Sequence, residues 1–320
     1  MTLGTPGGST TPTPAVARMG ARDLRAIAIF VALAFGLAWL VALPLWFGDG
    51  LTSPLFTFVA VATMATPALA ALVVVSFVER PPHKAQALGM WPLKPVGRLL
   101  GYSALGIFGS IALVLIALPI GALLGVYPAD VVNFSAFEQI LAAQTGGAEL
   151  PVPTSALIAI QLAMMPVAAF INLIPALGEE LGWRGWLLPK LMPLGTIPAL
   201  LVSGIIWGLW HAPLILLGYN YPDAPGWLAM TAMTCMCILI GALFGWLRLR
   251  SASVWPAALA HGAFNAAGGS FLLFARAGEH IDTTQATILG WTGWIVPLLL
   301  VAVLLATGQF RSGEAQPSRP

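Results

Sequence analysis

The sequence predicts an all-α integral membrane protein: an eight-transmembrane-helix bundle around an internal polar cavity. Three observations lead there. Hydrophobic residues make up 58% of the 320 residues and charged residues only 8%, against about 45–50% and about 25% in ordinary soluble chains. Eight apolar stretches follow one another, each near the ~20 residues that a helix needs to cross a bilayer. The loops between them alternate in the sign of their charge. Fourteen basic and 12 acidic side chains cannot coat a soluble fold of this size. That excludes a soluble enzyme, a disordered chain and a nucleic-acid binder built on a basic surface.

Residues 1–20, rich in Gly, Thr and Pro, read as a disordered cytoplasmic tail, residues 21–310 as one membrane domain, and 311–320 as a second tail. The apolar stretch after Arg25 is too long for a signal-peptide core. The expected spans are 24–47, 54–78, 99–126, 155–178, 195–218, 226–247, 254–275 and 286–307. They must be helices, because lipid offers no partner to an open backbone N–H or C=O. The alternating segments of about ten residues that a β-barrel requires are absent.

Arg18, Arg22 and Arg25 precede the first span; Arg80, Lys84, Lys94 and Arg98 lie between the second and third. Arg184 and Lys190 follow the fourth, Arg248 and Arg250 the sixth, and Arg311 and Arg319 the eighth. With eight spans and a cytoplasmic N-terminus, all of these are cytoplasmic and only Arg276 lies outside; basic loops stay on that side of a membrane. The opposite loops carry Asp49, Asp130, Glu138, Glu149, Asp223, Glu279 and Asp282. The chain is thus expected in the plasma membrane with both termini inside. Tryptophans near the span ends, Trp46, Trp91, Trp183, Trp186, Trp227, Trp246 and Trp255, fit the membrane interface. In the long loop 127–154, Phe134, Phe137, Ile140 and Leu141 recur at helical spacing and predict a short amphipathic helix on the outer surface. Cys235 and Cys237 point to different sides of a helix and read as apolar filler.

Ionisable groups within spans are costly and mark function by default. This chain has few. Glu179 and Glu180 close span four, with Arg184 one turn on; the i,i+4 spacing pairs Glu180 with Arg184 and leaves Glu179 to face elsewhere. The plain alternative is a charged helix end. His211 lies in span five, one turn after Trp207, which can pack on its ring. His261 and Asn265 share a face of span seven, as a catalytic pair or as an interhelical hydrogen-bond clamp. These groups can meet only inside the bundle. A carboxylate and an imidazole there can activate water. A second imidazole with an amide can stabilise an oxyanion. That set suits amide hydrolysis, whereas no H-E-x-x-H, no G-x-S-x-G and no Ser/His/Asp set is present in the spans.

The three motifs, Glu179-Glu180…Arg184, Trp207…His211 and His261…Asn265, resemble those of the CPBP intramembrane proteases, also called the type II CAAX prenyl endopeptidase or ABI family. Trp207 stands where Phe is more usual. The resemblance covers roughly residues 170–270. It implies an eight-helix fold with a cavity opening toward the cytoplasm, and a membrane-associated or lipidated protein or peptide as substrate. It assigns Glu179 and His211 to water activation, His261 and Asn265 to the oxyanion or metal site, and Glu180 and Arg184 to support.

Zinc takes three protein ligands and a water, and Glu179, His211 and His261 would be the set. A metal-independent mechanism is slightly preferred, because a ligating Glu179 leaves no separate general base, although zinc-bound hydroxide could attack directly. The competing class is a non-catalytic immunity protein or small-solute transporter using the same cavity. Against transport, no inverted repeat is seen.

Overall fold

The computed structural model describes residues 19–148 and 150–310; both expected tails lie outside or at the edge of these. Every regular element among the described residues is a helix, and the only strand-like pairing is an isolated bridge between Ala129 and Ala275. Six helices are long and apolar enough to cross a membrane: α1 Ala21–Trp46, α2 Phe56–Val78, α3 Val96–Leu123, α5 Thr154–Leu194, α7 Gly226–Ser251 and α8 Trp255–Phe274. The amphipathic α4, Ser135–Thr145, appears where the 127–154 periodicity predicts it, with Phe137 buried. The remaining apolar helices, α6 Thr196–Trp210 and α9 Ile295–Ala306, are shorter.

The expected count of eight full spans is therefore corrected to six candidates. α6 gives out at His211 and restarts as a single turn, Ala212–Ile215. Residues before Ile295 form turns, so α9 is 12 residues, about 18 Å at 1.5 Å per residue and short of a ~30 Å hydrocarbon core. Span four errs the other way. α5 continues past Glu180 through a π-helical stretch, Leu181–Leu187, and ends only at Leu194. Trp183 and Trp186 are consequently fully buried, not interfacial, whereas Trp46, Trp91 and Trp227 are exposed near helix ends.

The outer surface is apolar as well as the core, and a few ionisable groups lie inside. Phe58, Phe108 and Ile174 project outward, while Glu179, Glu180, Arg184 and His261 are buried. α1 buries one ridge, Ala26, Phe30, Ala34, Ala38 and Ala42, against α2 and leaves Leu40 outside. The small residues at four-residue spacing let the backbones approach. α8 lies between α3 and α5 as the central helix, and α6 runs antiparallel along α7. That last contact depends on two glycines: a Cβ on Gly204 would lie 2.6 Å from Ile238 Cα, and one on Gly208 2.5 Å from Thr234 Cα.

The helix ends separate by charge. At one face Lys190 bridges Glu79 (2.6 Å) and Asp23 (3.5 Å), and Arg248 donates to the Arg184 carbonyl. At the other, Trp46 donates to the Pro213 carbonyl, Thr283 to that of Asn220, and Tyr221 to that of Leu289. The first is the basic face of the sequence and the second its acidic face.

Candidate active site

Glu179 and Glu180 sit at the last α-helical turn of α5, where the helix widens into its π stretch; such bulges re-aim side chains and recur at functional sites. Consecutive positions point the two carboxylates in different directions, and each finds its own partners. Glu180 Oε1 accepts from Arg184 Nη1 at 2.6 Å, as the i,i+4 spacing predicts, and also from His261 Nδ1 at 3.0 Å. The second bond is not evident from sequence, because it joins α5 to α8. Glu179 Oε2 accepts from Trp207 Nε1 at 2.7 Å.

Trp207 is the residue that sequence reasoning undervalued. Its indole lies under the Arg184 guanidinium at 4.1 Å and against both imidazoles, with ring centroids 5.7 Å from His211 and 5.5 Å from His261. The signal was present, since a Trp in place of the family's Phe adds an N–H donor. Its bulk also accounts for how His211, far along α6, shares a site with His261, near the start of α8: the indole fills the distance between them. Gly241 leaves room for the guanidinium over the indole; a Cβ there would stand 2.7 Å from Arg184 Nη2.

Each imidazole is oriented by its Nδ1. In His211 the partner is the Trp207 carbonyl at 2.8 Å. A carbonyl only accepts, so Nδ1 carries the proton and Nε2 keeps its lone pair. In His261, Nδ1 is held by Glu180 and the ring stacks on Phe244. Nε2 is thus the free nitrogen of both rings. Asn265 is exposed within its helix and Asn172, two turns before Glu179, is half-buried.

Glu179, His211, His261 and Asn265 all line one cavity of about 520 Å³. Glu180 and Arg184 lie behind its wall and do not line it. Most other lining residues are apolar, Phe56, Met236 and Phe264 among them, with Thr57, Thr63, Asn172 and Asn220 adding polar groups. The same lining shows which way the cavity extends within the fold. It runs from Glu179 to Tyr219, Asn220 and Leu289 at the acidic face, and includes no residue of the basic loops. Below Glu179 the space is taken by Trp183, Arg184, Trp186 and Leu187, all buried.

Among the described residues no three His, Cys, Asp or Glu side chains gather closely enough to hold a metal ion. Of the expected set Glu179, His211 and His261, one Glu179 oxygen is taken by Trp207 Nε1, and the indole packs against both imidazoles.

Residues 161–267 match the family model described as type II CAAX prenyl endopeptidase Rce1-like. Over 53 residues the chain is 42% identical to CAAX prenyl protease 2 of Methanococcus maripaludis, a match covering 16% of this chain and 20% of that relative. The chain thus spans about a fifth of the length of this curated relative. The family match contains all three motifs and the helices that bring them together, α5, α6 and α8. Through that region this multi-pass helical membrane protein is similar to the Rce1-like type II CAAX prenyl endopeptidases.

Proposed function

We propose that the chain is an intramembrane endopeptidase that hydrolyses a peptide bond of a membrane-associated polypeptide, and that α6 and α9, though short, complete an eight-segment bundle with both termini cytoplasmic. The observation that carries the activity is the convergence of Glu179, His211, His261 and Asn265 on one cavity, each with an atom left free. Trp207 holds Glu179 Oε2, so Oε1 faces the water. His211 Nε2 accepts a hydrogen bond from the same water and aligns it. Glu179 takes the water proton as the oxygen attacks the carbonyl carbon. The carbonyl oxygen becomes an oxyanion that accepts from the Asn265 amide beside the His261 ring, which Glu180 orients through Nδ1. The C–N bond then breaks, and Glu179 returns its proton to the leaving amine. No step passes through a metal. The family's name supplies a prenylated tail as one class of substrate to try.

The test is proteomic. Membranes carrying the active chain and its Glu179→Ala variant are compared for cleaved termini, with folding of the variant checked by thermal melting in detergent. Fragments that vanish in the variant support the hydrolase and name its substrate. Identical fragment sets from two equally folded proteins would leave the immunity-protein or transporter reading in its place.

A further inference from the structure

The cavity lining runs from a dense floor toward the loops of the acidic face, which we take as its mouth. The floor is dense: Trp183, Trp186, Leu187 and Leu188 are each at most 1% exposed. Beneath them a network ties α1, α2, α5 and α7 together: Trp186 Nε1 donates to Glu79 at 3.0 Å, Lys190 reaches both Glu79 and Asp23, and Arg248 binds the Arg184 carbonyl. An approach from the basic face would have to break this network and expel two tryptophans.

The mouth is made of loops and helix ends at the acidic face. Phe56, at the start of α2, packs against Tyr219 at 5.3 Å, and Tyr219 is 37% exposed. Asn220, Leu289 and Phe271 complete the rim. The charges around this face are chiefly acidic, with His280 bound to Asp223 at 2.9 Å and Asp282 nearby in the same loop. No Lys or Arg lines the cavity from mouth to floor. A peptide carboxylate would meet no cation there and would meet Glu179 at the end. The walls offer Phe264, Phe271, Met233, Met236 and Ile288 instead. Such a channel takes an extended, uncharged segment with apolar side chains.

Basic loops stay on the cytoplasmic side of a membrane. We infer that the substrate reaches Glu179 from the opposite, non-cytoplasmic side, so that the polypeptide cleaved is an apolar internal segment displayed on the outer surface, such as a chain just translocated or anchored there by one span. This rests on the hydrolytic reading of the site and on cytoplasmic termini. It separates this chain from enzymes acting on prenylated tails in the inner leaflet.

Two measurements test it. The first does not depend on activity. In a background with Cys235→Ala and Cys237→Ala, single cysteines are placed by Asn220→Cys at the mouth and Lys94→Cys at the exposed basic face. Intact cells are treated with a membrane-impermeant maleimide, before and after permeabilisation. Labelling of the Asn220→Cys variant in intact cells, and of the Lys94→Cys variant only after permeabilisation, is expected. Labelling of both on one side, or the reverse pattern, overturns the inference. The second uses the unmodified chain with one apolar reporter segment displayed on the outer or the inner side of a single-span anchor, and a third reporter with a prenylated tail. Glu179-dependent cleavage of the outer reporter alone is expected. Cleavage of the inner or prenylated reporter alone overturns the entry side and keeps the hydrolase. If none is cut, the hydrolytic reading fails, while the labelling still decides which face the mouth occupies.

Discussion

The single bond from Trp207 Nε1 to Glu179 Oε2 fixes which oxygen of the candidate base is free. Hydrogen bonds to charged groups contribute about 1.5–3 kcal/mol, and each 1.4 kcal/mol is about tenfold in rate. Trp207→Phe keeps an aromatic ring beneath Arg184 and removes only the donor. The expected result is a roughly 10- to 100-fold lower kcat with little change in KM, read in a reporter-cleavage assay. An equal effect on KM would assign the indole to substrate binding. Arg184 behaves differently. It is 1% exposed and its partner Glu180 is fully buried. Arg184→Ala leaves that carboxylate with His261 alone, and breaking a buried pair costs about 3–5 kcal/mol. Thermal melting in detergent should show a large loss of stability, with Arg184→Lys recovering only part because it loses the planar stack on Trp207.

At the scale of elements, the site depends on three helix contacts: α5 with α8, α8 with α3, and α6 with α7. The last positions His211 and has least room. Gly208→Leu would drive a side chain into the α7 backbone at Thr234. The expected outcome is separation of α6 from α7, with an early melting transition and loss of any Glu179-dependent cleavage. Ser203, one helical turn before Trp207 and also buried, serves as the nearby control; Ser203→Ala removes one atom and should melt with the parent. The π stretch after Glu180 was invisible to periodicity. A run of apolar residues and glycines reads equally as a helix end or as its continuation, and only the packing of Trp183 on Phe30 and Trp210 shows that the chain stays in the core.

For the whole molecule, the prediction is topological. Reporter fusions at the C-terminus and within the 127–154 loop are expected on opposite sides of the membrane, with the C-terminus cytoplasmic. Reporters on one side would sink the eight-segment arrangement. The same experiment bears on α6 and α9. Each is too short to span unaided, yet if only one of them returned the chain to its starting side, the basic loops would be divided between the two faces.

Composition and charge placement by themselves determined that this chain is a helical membrane bundle, because a bilayer permits few backbone solutions and penalises misplaced cations. The i,i+4 spacing also determined the Glu180–Arg184 pair, since it is local to one helix. The identity of the polar cluster was legible because so few ionisable residues lie within the spans. What only the tertiary structure decided is everything that joins one helix to another. Glu180 holds His261, Trp207 holds Glu179, and the cavity runs to the acidic rather than the basic face. Periodicity shows which face of a helix is polar. It carries no information on tilt, depth or which neighbour fills the space below, and those depend on the bulk of residues distant in sequence, here two tryptophans packed beneath a glutamate.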